Sequence, residues 1–553
     1  MVRMAFEGAL IDRGRTAMSR TSLSRPMQHA FDDGLLEGAD VFDFGCGRGD
    51  DVRFLNALGI QTAGWDPWHR SKAKIERASV VNIGYVVNVI EDADERKETL
   101  LKAWELSAHV LVVSGRLTWE MDEQPAKRFQ DGYVTSTGSF QKFYTHEELK
   151  AWVEHVLRAP AVTAAPGILY VFRDAAKAQQ FLARQIRGSA TQRRGIAELL
   201  VQRHQDILTP LREYVSEHRL LPSPHELSTT KEILQVFDSL RTAFVVLRQA
   251  SQHGLWSDVD VGTKSTSRAR FEEHLDDLQV LIDFVSERGR LPRAGELSNE
   301  NILKAKFASV RAAFSLIRRV TGPGPWEDFE ATARDSFLVY AAVAAFGGRP
   351  KMSELSVDMQ YDAKDLFGSY SAACREADDL LHQIADQDAI NAACESAEFG
   401  KLTPEALYVH IDYIRRLSPL LRVYEGAARQ ITGNIDDATL VKLNRVKPQV
   451  SFLVYPTFRS DPHPALEASV VAKLGEIRMK HRYFGESRNP PILHRKETFI
   501  PSDDPDWAKF RRLTAQEEKA DVLDRPDIGS REGWNALLRE RGLVLHGHQL
   551  RRR

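Results

Sequence analysis

A short apolar run, Val41-Phe42-Asp43-Phe44, leads directly into Gly45-Cys46-Gly47-Arg48-Gly49-Asp50 and then into the helical spacing Val52, Phe54, Leu55, Leu58. Strand, glycine-rich turn and helix in that order leave few folds open. Glycine lets the backbone turn tightly and approach a ligand, and the helix start presents unpaired N–H groups. A second candidate strand, Ile60 to Gly64, ends at Trp65-Asp66-Pro67-Trp68. This puts an acidic residue about twenty positions after the turn, where such a fold holds ribose hydroxyls. Ser79 to Asp92 reads as a buried strand and loop, 94–107 as a helix, Val110 to Ser114 as a strand and Ile168 to Phe172 as a late strand. Strands alternating with helices predict a mainly parallel sheet covered on both faces, with ligands at the carboxyl ends of its strands.

The turn is of the Asp-x-Gly-x-Gly-x-Gly kind and lacks the downstream Lys-Ser/Thr of a P-loop. Together with Val87-Asn88-Val89-Ile90-Glu91-Asp92, it resembles class I (Rossmann-like) methyltransferases. That resemblance implies S-adenosylmethionine as cofactor, held by Asp43, Gly45, Cys46, Gly47, Asp66, Pro67 and Asn88. An NAD-dependent enzyme and a degenerate, non-binding relative are the competing readings. Methyl transfer depends on alignment, with a general base needed only if the acceptor must lose a proton. Tyr85, Asn88 and His146 are the catalytic candidates, and Asp131 and Gln141 are possible wall residues.

At 553 residues the chain exceeds a single core. The expected layout is multidomain α/β plus α: a class I methyltransferase domain over 1–180, a helical repeat array over 181–397, and an α+β domain over 398–553. Net charge is −2, so attraction to nucleic acid must come from local basic patches. No apolar run spans a membrane. Met1 to Ser24 lacks the apolar core of a secretory signal, and three scattered cysteines fit reduced thiols, which together predict a cytoplasmic location.

The middle repeats itself. Leu221-Pro222, Glu226-Leu227-Ser228, Phe237, Ser239, Arg241, Ala243-Phe244, Arg248 and Trp256 recur, each offset by 70, as Leu291-Pro292, Glu296-Leu297-Ser298, Phe307, Ser309, Arg311, Ala313-Phe314, Arg318 and Trp326. A weaker third copy holds Arg349-Pro350, Glu354-Leu355-Ser356 and Phe367-Gly368-Ser369. The copies cover about 208–256, 278–326 and 334–387. They resemble the helical repeats associated with homing endonucleases, which implies DNA contact. Arg241, Arg248, Arg311, Arg318 and Arg319 are the candidate phosphate ligands; a solvated spacer or protein-docking array is the alternative. Ser257 to Arg268 and Arg184 to Arg194 read as joints.

Toward the end come Ser418-Pro419-Leu420-Leu421-Arg422-Val423-Tyr424-Glu425, Val450 to Pro456, Asp461-Pro462-His463-Pro464-Ala465-Leu466 and Asn489-Pro490-Pro491-Ile492-Leu493-His494-Arg495-Lys496-Glu497. With Ser24-Arg25-Pro26, the glycine turn, Gly64 to Pro67 and Asn88 to Asp92, these strings resemble the DNA phosphorothioation-associated methyltransferase family. The resemblance implies a bacterial DNA-modification or defence setting, with DNA and proteins of such a system as partners. A non-catalytic regulatory protein and a methyltransferase of a small molecule or protein stay open. His463, His494, Arg495, Lys496 and Glu497 form a dense polar set suited to a phosphate or a metal, with an ordinary buried salt-bridge loop as the alternative. Of these, His494, Arg495, Lys496 and Glu497 are the further candidates, expected to serve the methyltransferase cleft from outside or else to pair within the C-terminal core. No His/Cys spacing of a zinc site is present, so no metal is expected.

Overall fold

The computed structural model describes the chain except residues 1–4, 7–8, 12, 18, 122–126, 136–137, 188–200, 202–203, 238, 251–255, 257–265 and 553. Two compact units result: Met1–Leu182 with Ala341–Leu355 and Ala377–Arg553, and Ala183–Tyr340 with Ser356–Glu376. The N- and C-terminal regions that the sequence separates therefore belong to one unit. The joints at Ser257 to Arg268 and Arg184 to Arg194 lie mostly outside the described residues.

In the first unit, helix α1 (Arg25–Asp32) precedes strand β1 (Val41–Phe44), helix α2 (Asp50–Ala57) and strand β2 (Thr62–Trp65). Strand β3 (Ala78–Gly84), helix α3 (Ala93–Leu106) and strand β4 (Ser107–Ser114) follow. Helix α4 (His146–Leu157) then leads to the hairpin of β5 (Ala161–Ala165) and β6 (Ile168–Phe172). The sheet order is β2-β1-β3-β4-β6-β5, parallel from β2 to β4, with β6 antiparallel to both its neighbours. Alternate residues leave the strands on opposite faces. Phe42, Val81, Leu111 and Leu169 pack with Leu100 of α3 and Leu149 of α4, whereas Val41, Val80, Val110 and Tyr170 pack with Met27 of α1 and Leu55 of α2. The chain runs outward from β1 to β2 and then crosses back to β3. That reversal opens a crevice at the carboxyl ends of β1 and β3.

The C-terminal part forms a six-stranded antiparallel sheet, Lys401–Leu402, Ala406–His410, Ala438–Asn444, Gln449–Val454, Ala468–Lys473 and Arg478–Tyr483, in sequence order. Helix Pro419–Thr432 is buried along most of its length against it. This half seats on the first sheet through Arg25 Nε and His29 Nε2 on Asp436 (2.6 and 2.7 Å) and Asn434 N donating to Ala164 O (2.8 Å).

In the second unit the 70-residue offset is physical. Leu208, Leu211, Val215, Ile233, Phe237 and Trp256 form one core, and Leu278, Leu281, Val285, Leu303, Phe307 and Trp326 the next. Even the edge-on ring contact repeats, His204 on Phe237 at 5.4 Å and His274 on Phe307 at 5.3 Å. The recurring Glu of each copy closes its own turn. Glu226 and Glu296 accept from the backbone N–H of Ser223 and Arg293, at 2.5 and 2.7 Å, and Glu354, in the stretch of the third copy that belongs to the first unit, accepts from Lys351 N at 2.7 Å. Ser309 and Ser369 cap the helices that follow them, accepting from Ala312 N and Ala372 N. Most of the repeated signature thus encodes turns, caps and core. Among the described residues no helix is long and apolar enough to cross a membrane.

Candidate functional site

A cleft of about 760 Å³ sits at the carboxyl ends of the parallel strands. That lies within the roughly 300–1,000 Å³ of small-molecule sites. All seven cofactor candidates, Asp43, Gly45, Cys46, Gly47, Asp66, Pro67 and Asn88, line it.

The turn is built so that backbone forms the floor. Gly45 has φ +89°, and a Cβ there would stand 2.4 Å from Val86 Cγ2, so only glycine fits. Gly45 N and Cys46 N both donate to Trp65 O (2.8 and 3.1 Å), tying the turn to the end of β2. From that end Asp66 reaches back. Its Oδ2 accepts from Gly47 N at 3.1 Å, and its Oδ1 accepts from Trp68 N and His69 N, each at 2.8 Å. Asp66 therefore sets the shape of the turn as well as facing the cleft.

Three carboxylates crowd this end: Asp43, Asp51 and Asp66. Asp43 is buried, with Oδ1 accepting from Asn82 Nδ2 at 2.8 Å, and burial together with Asp51 pushes its carboxyl up to about 7. Asp51 Oδ1 accepts from Ser24 N at 2.7 Å, and Arg20 approaches its other oxygen at 3.6 Å. The Cys46 thiol is pushed up to about 12 by burial and by Asp43, so it is no nucleophile.

At the other end stand Tyr85, Asn88, Arg116, Glu120 and Gln141. Asn88 Nδ2 donates to Gln141 Oε1 at 2.9 Å, while its Oδ1 is buried with no partner among the described residues. Tyr85 adopts φ +58°, with its N–H on Ser114, and burial holds its phenol above the ordinary range. It is thus a neutral hydrogen-bond donor. Burial also raises the Glu120 carboxyl, which poises it to take a proton.

The structure places other candidates elsewhere. His146 is absent from the cleft wall. As the first residue of α4 its ring is buried, with Nδ1 accepting from Gly167 N (3.0 Å) and Nε2 on Thr163 Oγ1 (3.3 Å), and burial holds it down at about 3. It fastens α4 to the β5–β6 hairpin. Asp131 pairs with Arg96 and Lys142 outside the cleft. The segment expected to close over the cleft instead pairs within the C-terminal part, at its surface through Arg495 and in its core through Lys496 and Glu497. Arg495 meets Glu518 at 2.5 Å, and Glu497 accepts from Thr514 Oγ1 at 2.8 Å. Lys496 Nζ, buried, donates to Phe458 O and Asp461 O, and burial lowers it to about 7. His494 donates to Ile528 O. None of the four lines the cleft.

Of the repeat arginines, Arg311, Arg318 and Arg319 are exposed, while Arg241 and Arg248 are half-buried, Arg248 lying 5.9 Å from the Phe244 ring centre. Arg318 and Arg319 occupy the last turn of helix Val310–Thr321, where the helix dipole also favours cations.

The sequence reading missed the N-terminal wall. Arg13, Thr16, Arg20 and Arg25 line the cleft. Arg13 holds its segment in place on Glu91 (2.8 Å) and Glu95 (2.6 Å). Arg116 and Glu120, also missed, follow β4 at its carboxyl end, the position where such sheets present ligand-binding groups.

No protein-family model and no curated protein matches the chain. Among solved structures it is similar to the CcbJ methyltransferase from Streptomyces caelestis, at 13% identity over 27% of this chain and 87% of that one, with a TM-score of 0.20. The chain's own geometry, not this distant likeness, bears on function.

Proposed function

We propose that the first unit is a class I methyltransferase that binds S-adenosylmethionine in the cleft, and that the helical repeats bring it to DNA in a phosphorothioation-linked modification setting. The observation that carries the reading is the charge beside the glycine turn. A dinucleotide places its pyrophosphate at the helix start after such a turn. Here Asp43, Asp51 and Asp66 stand at that place, and α2 opens with Asp50 and Asp51 in its first turn. Carboxylates repel a pyrophosphate and attract a ligand carrying an ammonium and a sulfonium. The reversed strand β6 also departs from the order 3-2-1-4-5-6 of dinucleotide sheets.

The glycine floor and the unpartnered Asn88 Oδ1 leave room and a hydrogen-bond acceptor for such a cofactor. Bound there, adenosylmethionine supplies an electrophilic methyl group. Asp66 would hold ribose hydroxyls, the Gly45–Gly47 backbone and Asn88 Oδ1 would receive the rest of the cofactor, Tyr85 and the Asn88 amide nitrogen would orient the methyl acceptor, and Glu120 would take its proton. Calorimetry on the full chain tests this. One equivalent of adenosylmethionine should bind with a saturable heat, and NAD at equal concentration should not; the converse outcome would falsify the assignment.

For the repeats, log affinity for duplex DNA should fall with log salt, at a slope of about −0.9 per phosphate neutralised. Replacing Arg311, Arg318 and Arg319 with Ala should make the slope shallower by roughly 1 for each arginine that pairs with a phosphate. An unchanged slope in the triple variant would remove these arginines from the interface.

A further inference from the structure

His463, His494 and Glu517 converge in the C-terminal part of the first unit, with their ligand-type atoms within 4.8 Å of one another. Two loops and a helix bring them there. Asp461-Pro462-His463-Pro464 and Asn489-Pro490-Pro491 run beside each other, with Leu466 N donating to Pro491 O (2.8 Å) and Leu493 N to Pro464 O (3.1 Å), which fixes the two imidazoles in register. Glu517 comes from helix Trp507–Lys519. Trp534, from helix Arg531–Glu540, covers the cluster with its ring centre 4.7 Å from each imidazole.

The protonation pattern follows from the neighbours. His463 Nδ1 faces Leu493 O at 3.1 Å and His494 Nε2 faces Ile528 O at 2.8 Å. A carbonyl only accepts, so each of these nitrogens carries a hydrogen, and in a ring with that one hydrogen the other nitrogen bears a lone pair. His463 Nε2 then points its lone pair at Glu517 Oε1, 2.7 Å away. His494 Nδ1 and Glu517 Oε2 are both buried with no partner among the described residues, and Glu517 is 0% exposed. Two lone pairs and a carboxylate then face one another beneath Trp534, and the buried amine of Lys496, nearby in sequence, is turned instead to Phe458 O, Asp461 O and His548 Nε2. Such a set needs a cation between its members. Histidines that give their outer N–H to backbone carbonyls are oriented in the way metal-bound histidines are.

The geometry points to a binding site for a divalent transition metal of the zinc–iron type, held by His463 Nε2, His494 Nδ1 and the Glu517 carboxylate. Ligand atoms around a tetrahedral ion at about 2.1 Å stand roughly 3.4 Å apart, so modest rotation of the side chains brings the three into range and leaves the fourth position to a water. The ion fastens two loops to helix Trp507–Lys519, and it gives the Asn489-to-Glu497 string a purpose apart from the methyltransferase cleft. The rival occupant is a single proton shared by Glu517 and His463.

The test uses the full chain without a polyhistidine tag, stripped with a chelator and titrated with Zn²⁺ and Co²⁺. One equivalent per chain should bind, with cobalt absorption bands and a rise in melting temperature. Glu517→Gln keeps a hydrogen bond to His463 Nε2 but loses the charge, and should bind at least roughly tenfold more weakly. Arg495→Ala, which removes only the Glu518 pair, should bind as the wild type does. A wild-type protein that takes up no metal would overturn the site and leave the shared proton. Unweakened binding in Glu517→Gln, or equal loss in both variants, would overturn these ligands.

Discussion

Asp66→Ala is expected to weaken adenosylmethionine binding about 10- to 150-fold and to lower the melting temperature as well. The carboxylate accepts three backbone N–H groups, from Gly47, Trp68 and His69. Hydrogen bonds to a charged group contribute about 1.5–3 kcal/mol each, and a buried donor left without an acceptor costs on the order of 1–3 kcal/mol. Losing one such bond to the ribose accounts for the expected affinity change. The released Gly47 amide then frees the turn that forms the floor. Asp66→Asn should fall between the two proteins, since Oδ1 still serves Trp68 and His69 while the amide nitrogen faces the Gly47 N–H, donor against donor. Isothermal calorimetry and thermal unfolding on the three proteins check this; an affinity unchanged in Asp66→Ala would sink the ribose assignment.

What could be read in advance divides by sequence distance. The glycine turn and the acid ending β2 are local: Asp43 to Gly47 are contiguous, Asp66 follows one helix later, and all of them line the cleft. The repeats were legible because burial imposes the same side chains at the same offset, so Phe237 and Phe307 both fill cores. The N-terminal wall was not, because Arg13 and Arg20 lie in a stretch without apolar periodicity and act through partners such as Glu95 and Asp51, far along the chain. His146 misleads for a different reason. A histidine at the start of a helix looks like a candidate base, and only the three-dimensional neighbours Thr163 and Gly167 show a ring used as a buried fastener. His463 and His494 could be read as members of one dense polar set, but Glu517 was hidden, because separations this long fit none of the short ligand spacings that mark a zinc motif.

Asp43→Asn is expected to stabilise the protein above pH 7 and to do so progressively less as pH falls toward 4. The carboxyl of Asp43 is pushed up to about 7 by burial and by Asp51, whereas in the unfolded chain it ionises near about 3.9. Between these values the folded protein holds a proton that the unfolded chain has lost. Stability therefore falls as pH rises through that window, and the full penalty is in force above pH 7. Three pKa units correspond to roughly 4 kcal/mol as a ceiling, and relaxation around the site reduces this to about 1–3 kcal/mol. Asparagine cannot ionise, and its Oδ1 still accepts from Asn82 Nδ2, while Asn82 Oδ1, buried without a partner among the described residues, offers an acceptor for the new amide. The same substitution removes the anion that would face the cofactor's positive charge, so adenosylmethionine should bind the stabler variant more weakly at pH 8. Urea unfolding of both proteins at pH 5, 6.5 and 8 decides the stability claim: a constant difference across the three would mean that Asp43 does not titrate in this window.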